Sequence, residues 1–286
     1  MIDFDKGEEK LNKFFGSEVK TTVVYDNEIY MIKYPDPIRE KKNLLSYMNN
    51  QYSEHIGSCI FGACGFHVQE TLLGYFTDSK GQRKIVVGCK DFTQNGSTLH
   101  EFSKLCNQIQ VDGKSGTTIE SVYEVVKESQ LITNKDEVIE TFWDMFVVDA
   151  LIGNPDRHFD NWGFLETNGN ITFAPIYDCG SSLAATISDE KMKELLSIPS
   201  SFKNEEYNLT SCYQMNGKRI FYHEIFKTPP LDLTEAIRRT VPKIDMHIIH
   251  EIVQNTPLMS QIRKEYLLQA LDLRYEQILA PTYKTL

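Results

Sequence analysis

The stretch from residue 152 to residue 180 constrains this chain more than any other. An apolar helical pattern over Val138–Leu151 runs into Gly153-Asn154-Pro155. A helix cannot easily continue there, because proline lacks an amide hydrogen and disfavours helical backbone in the residue before it. Trp162–Leu165 and Ile171–Phe173 then flank Asn168-Gly169, the strongest short hairpin signal in the sequence. Asn161 lies just before the first strand and Asp178 just after the second. Antiparallel pairing therefore brings both to one end of the hairpin, where two oxygen-bearing side chains can reach a single hard cation. Asn-Pro-Asp and Asp-Cys-Gly are also ordinary turn sequences. What sets them apart is the conjunction of a helix, a Gly-Asn-Pro-Asp-Arg-His loop, a hairpin and Tyr-Asp-Cys-Gly, in that order.

The rest of the chain has two characters. Thr21–Val24 and Ile29–Lys33 flank the polar turn Tyr25–Glu28, and Val68–Tyr75 and Lys84–Cys89 flank a turn at Asp78–Gly81. Both pairs read as hairpins. Between them Tyr52, Ile56, Cys59, Ile60 and Ala63 fall on one face of a helix that Gly65 can end. Beyond Phe92, Thr93–Ser97 is a plausible hinge, and helical pattern then dominates, with Pro242 and Pro257 interrupting the last part. The expected organisation is an α+β, bilobal chain: a small strand-rich lobe over 1–92 and a larger helical lobe over 93–286 carrying one hairpin. That order matches a protein-kinase-like layout, although a fold alone does not fix a function.

Phosphoryl transfer needs few parts: a carboxylate to orient the acceptor hydroxyl, ligands for Mg²⁺, a cation for the phosphates and backbone amides near them. In protein kinases four residues separate the catalytic-loop aspartate from the metal-binding asparagine. Asp156 and Asn161 have that spacing, and Asp178-Cys179-Gly180 supplies a further aspartate after the hairpin.

The segment from Ile152 to Phe164, followed by Phe173-Ala174-Pro175-Ile176-Tyr177-Asp178, resembles the HipA-type serine/threonine kinases, which include toxin kinases and shorter stand-alone relatives. The resemblance implies that Asp156 is the catalytic base, that Asn161 and Asp178 bind Mg²⁺, and that His158 and Asp149 support the loop. It also implies a phosphate-binding loop at Gly16-Ser17-Glu18-Val19-Lys20-Thr21, a phosphate-holding Lys33 and a helix partner for that lysine in Glu54. Lys90-Asp91-Phe92 would be the hinge, with the backbone of Lys90 and Phe92 bonding adenine. Lys33 equally suits an edge-strand lysine facing water. Glu54 lies opposite the Tyr52/Ile56/Ile60 stripe, which fits either a cleft or solvent. Family members often carry an autophosphorylated serine just before the loop glycine. Lys13, Phe14 and Phe15 stand there, and Ser17 is the nearest candidate phosphosite.

A formal charge of -10 makes general binding of nucleic acid or anionic membrane an unfavourable prospect. The six cysteines form no CxxC pair, so a zinc site is not expected. The N-terminus lacks an apolar signal core, and no apolar run approaches a membrane span, so a cytoplasmic setting is the default. Export by an unconventional route would leave no mark. The resemblance implies ATP and Mg²⁺ as cofactors and a protein substrate, with aminoacyl-tRNA synthetases and other translation factors among the family's targets. It also raises a small DNA-binding antitoxin as a partner. A phosphoinositide-type lipid kinase is the alternative, since those enzymes also use an Asp-Arg-His-x-x-Asn loop. A catalytically silent kinase-fold binding module is a third reading, and the joint presence of Lys33, Asp156, Asn161 and Asp178 argues against it.

Overall fold

The alternating pattern of the first third builds a sheet. The computed structural model describes residues 1–11, 20–35, 48–109 and 117–286. Within them six strands pair in the order β1-β5-β6-β4-β3-β2. These are β1 (Ile2–Asp3), β2 (Glu8–Lys10), β3 (Lys20–Tyr25), β4 (Glu28–Lys33), β5 (Thr71–Thr77) and β6 (Arg83–Lys90). β1 runs parallel to β5, and the remaining neighbours are antiparallel. The predicted turn between β3 and β4 is made by Asp26 and Asn27, both with left-handed backbone.

Side chains alternate across a strand, so the sheet has two apolar faces. Val23, Tyr30, Ile32, Phe76 and Val86 pack with Phe4 and Tyr34 in a small core. Leu73, Val87 and Cys89 belong to the main core, which includes Tyr52, Ile56 and Ile60 of helix α1 (Asn50–Ala63). Phe4 is fully buried, and a Cβ at either Gly74 or Gly88 would overlap its ring. Lys33 alternates with Ile32 and so shares the face of Met31, on the side of α1.

After β7 (Thr98–Glu101) the chain is mainly helical: α2 (Phe102–Ile109), α3 (Ile119–Glu128) and α4 (Lys135–Ile152). Asn134 caps the start of α4 by accepting from the Glu137 amide, and Gly153, at φ 64°, ends it. From Met145 to Ile152 every residue of α4 is buried, which makes it the central rod of this part.

The predicted hairpin is present as β8 (Gly163–Thr167) and β9 (Asn170–Phe173). Its turn residues Asn168 and Gly169 have φ of 53° and 80°, the pairing that a two-residue turn needs. β7 adds a third strand along β8. Trp162, at the root of β8, is buried between Phe102 (ring centroids 4.1 Å) and Phe173 (5.6 Å), and its Nε1 donates to the Tyr213 hydroxyl. Each such ring pair adds about 1 kcal/mol beyond its buried area, so the hairpin root is firmly anchored.

The chain continues through α5 (Asp189–Ser197), α6 (Pro199–Tyr207), the hairpin β10 (Thr210–Met215) and β11 (Lys218–Phe221), α7 (Tyr222–Ile225), α8 (Leu231–Thr240), α9 (Met246–Asn255), α10 (Gln261–Arg274) and α11 (Ala280–Thr285). Pro242 lies in a short 3-10 turn between α8 and α9, and Pro257 between α9 and α10. No helix among the described residues is long and apolar enough to cross a membrane. Cys64, Cys89, Cys106 and Cys179 are buried thiols, as their apolar settings suggest, while Cys59 and Cys212 are half-buried.

Candidate active site

The loop after α4 is held by its own polar side chains. The Asn154 amide donates to Asp149 O at 2.9 Å, and its Nδ2 donates to Asp149 Oδ1, also at 2.9 Å. Asn154 Oδ1 accepts from the Asp156 amide at 3.0 Å, and Asn161 Nδ2 donates to Asp156 O at 2.8 Å. The backbone of Asp156 is thus tied on both sides, and its carboxylate is turned outward and partly exposed. Ser181 Oγ donates to Asp156 Oδ2 at 3.0 Å.

Arg157 is buried beneath this loop. Its Nε donates to Asp149 Oδ2 at 3.0 Å. Its Nη1 reaches the carbonyls of Asn161 (3.0 Å), Tyr177 and Asp178 (3.3 Å). One guanidinium therefore ties together the two ends of the β8–β9 hairpin. Burial works against its charge, but the Asp149 carboxylate more than offsets this and pushes Arg157 further up. The geometric closure expected from the hairpin is real, and a cation below the loop fastens it. Sequence reading assigned Arg157 no role, because the carbonyls that use its fork come together only in the folded chain.

Lys33 faces the same place from the sheet. Its Nζ lies 2.7 Å from Glu54 Oε2 and 2.7 Å from Asp178 Oδ1. The other Glu54 oxygen accepts from the Cys179 amide at 3.1 Å. Lys33 and Glu54 are both buried, so neither solvent-facing alternative holds. β4 lies inside the sheet between β3 and β6, which removes the edge reading of Lys33. α1 is buried on both sides over its first turns, which removes the solvated reading of Glu54. Asp178 has left-handed backbone, φ 58°. Burial would raise its pKa, but the Lys33 ammonium prevails and holds the carboxyl below its usual range. Lys20 also helps, from its place opposite Lys33 in the β3–β4 register.

The remaining expected residues lie as follows. Asp149 is buried under the loop, whereas His158 is at its surface, with Nε2 3.7 Å from Asp156 Oδ1. The Lys90 amide donates to Glu70 O, and Gln69 Nε2 donates to the Lys90 carbonyl. The amide and the carbonyl of Lys90 are thus both hydrogen-bonded, to Glu70 and Gln69. The Phe92 ring packs on Tyr177 with centroids 5.9 Å apart, joining the end of the sheet to the residue before Asp178. Gly16 and Ser17 lie outside the described residues. The structure therefore brings together Lys33, Glu54 and Asp178 on one side, and Asp156 and Asn161 on the other, with Arg157 bonded to the carbonyls of both Asn161 and Asp178.

The profile of the family described as HipA-like C-terminal domain matches residues 14–248. The serine/threonine-protein kinase CtkA of Helicobacter pylori is 38% identical over 97% of this chain and 86% of its own length. A crystal structure of the H. pylori proinflammatory kinase CtkA superposes with a TM-score of 0.89 at 36% identity, covering 99% of this chain and 97% of that one. HipA from a Shewanella oneidensis complex with HipB and operator DNA is similar in fold, with a TM-score of 0.55 at 13% identity over 95% of this chain and 67% of that one.

Proposed function

Starting from a chain that belongs to the HipA-like C-terminal domain family and is a serine/threonine protein kinase of the HipA and CtkA type, we propose how its residues divide the work. Asp156 orients the hydroxyl of a serine or threonine on a protein substrate and accepts its proton. Lys33, kept in place by Glu54, holds the phosphates of ATP, with Lys20 adding positive charge beside it. Asn161 and Asp178 hold Mg²⁺.

The observation that carries this reading is the Lys33 ammonium set between two carboxylates of different settings, Glu54 fully buried and Asp178 33% exposed. A buried lysine so placed has a fixed direction, which a phosphate-binding cation requires. The donor set also suits Mg²⁺. Lys33 uses Oδ1 of Asp178, and Asn161 donates its Nδ2 to the loop. A carboxylate oxygen and an amide oxygen remain, both hard ligands. Among the described residues no three His, Cys, Asp or Glu side chains cluster to hold a metal. In kinases Mg²⁺ takes few protein ligands and the nucleotide phosphates. When bound, Mg²⁺ neutralises charge on the transferring phosphoryl group.

Asp156 then acts through position, since its backbone is fixed from both sides and its carboxylate points outward. Phe92 and Tyr177 supply an apolar wall near the predicted hinge, where the Lys90 carbonyl, which already accepts from Gln69 Nε2, would accept from adenine through its second lone pair. The division into lobes is drawn at Phe92. The substrates to try first are aminoacyl-tRNA synthetases and other translation factors, and a small DNA-binding antitoxin is the partner to seek.

The test compares two variants in thermal melts. Asp156→Asn abolishes transfer but retains the extra melting shift that Mg²⁺ adds to ATP. Asp178→Asn abolishes transfer and that extra shift together, because a neutral amide replaces the anionic ligand. Retention of the shift in both variants, or its loss in both, overturns the division of roles.

A further inference from the structure

We infer that Ser181 is a positioning residue that fixes the rotamer of the Asp156 carboxylate, and this rests on the assignment of Asp156 as the acceptor-orienting group. The terminal torsion of an aspartate is broad, so a fixed backbone does not fix its carboxylate. The loop supplies the fixed backbone: the Asp156 amide and carbonyl are both bonded, to Asn154 and Asn161. Among the described residues the hydrogen bond that reaches the carboxylate itself comes from Ser181 Oγ, 3.0 Å from Oδ2. Oδ1 lies 3.7 Å from His158 Nε2, beyond hydrogen-bond distance. A donor on one oxygen both sets the plane of the carboxylate and leaves the other oxygen for the acceptor hydroxyl.

The turn that carries Ser181 is rigid enough for this task. The Ser182 amide donates to Cys179 O at 3.0 Å, and the Leu183 amide donates to Ile152 O at 3.0 Å, which ties the turn to the end of α4. Leu183 and Ala184 have left-handed backbone, whereas Ser181 does not. The two neighbouring serines also divide the work. Ser182 Oγ is fully buried and closes the turn on Cys179 O at 2.7 Å. Ser181 is not needed for that closure, and its hydroxyl is turned across to the loop.

The experiment measures steady-state phosphorylation of a generic protein substrate together with thermal melts. Ser181→Ala lowers kcat about tenfold, as expected for losing a hydrogen bond to a charged group. It leaves the KM for ATP and the Mg²⁺-ATP melting shift unchanged. Ser181→Thr, which keeps the hydroxyl, restores most of kcat. Ser182→Ala instead lowers the melting temperature with little effect on kcat. The inference is overturned if Ser181→Ala keeps parental kcat while Asp156→Asn is inactive. It is equally overturned if Ser181→Thr is as impaired as Ser181→Ala, if the Mg²⁺-ATP shift disappears with kcat, or if mass spectrometry finds phosphate on Ser181 after incubation with Mg²⁺-ATP. Turnover in Asp156→Asn would instead remove the assignment of Asp156 on which the inference stands.

Discussion

Lys33 and Asp178 are 145 positions apart in the chain, yet the ammonium of one lies 2.7 Å from the carboxylate of the other. The contact joins an inner strand of the sheet to the turn that follows the β8–β9 hairpin. It places a charge pair where the two parts of the molecule meet.

The first prediction concerns Glu54, the other carboxylate on that ammonium. Glu54→Gln keeps the shape but takes a buried anion from a buried cation, which costs about 3 kcal/mol when such a pair is broken. It also weakens the acceptor for the Cys179 amide. Urea unfolding should register the loss, and the KM for ATP should rise. A variant as stable as the parent would mean that the pair contributes nothing.

The second concerns pH. Burial would raise Asp178, and Lys33 outweighs it, so the folded carboxyl titrates below its ordinary value of 3.8. A group depressed in this way adds stability above its unfolded pKa and loses it as pH falls through the folded value. In Lys33→Met that contribution is gone. The stability gap between parent and variant should be wide from neutral pH to about pH 4 and should narrow below it. Unfolding curves at about pH 6 and about pH 3 measure the gap, and an unchanged gap would exclude stabilisation of the ionised form by Lys33.

The third concerns Arg157. Lysine cannot reproduce a fork that binds Asp149 on one side and carbonyls at both hairpin ends on the other. Arg157→Lys keeps the charge beside Asp149 but should lose roughly 1.5–3 kcal/mol for each carbonyl its ammonium cannot reach and most of its transfer activity. Near-parental activity would show that the hairpin root closes without the guanidinium.

The fourth concerns Gly57 on α1. An added Cβ there would stand 2.6 Å from Cys179 Cβ. Alanine gains about 1 kcal/mol of helix propensity over glycine, while overpacking costs roughly 1–3 kcal/mol. The opposing atom is a Cβ on a clamped turn, which no side-chain rotation can move, so the clash prevails. Gly57→Ala should be destabilised and should raise the KM for ATP, since α1 carries Glu54. A more stable variant with normal kinetics would refute this.

The hairpin and its flanking residues were legible in the sequence because local chemistry dictates them. Asn168-Gly169 selects the turn, and Gly153 with Pro155 stops the helix. The helical pattern of α1 was legible, but its burial was not. A single apolar stripe implies one buried face, whereas Asn50, Gln51, Ser53 and Glu54 are buried as well, because the post-hairpin turn covers the side that periodicity leaves polar. β7 was missed since Thr98–Glu101 is too short to display alternation, and its strand character comes from pairing with β8. Ser181 read as one more turn residue. Only the folded chain reveals which of two adjacent serines faces the Asp156 carboxylate.

Phe4, Gly74 and Gly88 come from three separate strands and turns, yet they fill one volume. At Gly88 the three nearest atoms to an added Cβ all belong to the Phe4 ring, whereas at Gly74 the Ile2 carbonyl, 2.6 Å away, stands closer than the ring, so it is positions 4 and 88 that set what each other can be. Variation at these sites should therefore be epistatic. A larger residue at 88 would be tolerated in lineages where position 4 has already become small, and a shrunken residue at position 4 would be followed by growth at 88, while 74 stays glycine against the Ile2 carbonyl. The history of the small core would be written as correlated exchanges across more than eighty positions of chain, not as independent drift.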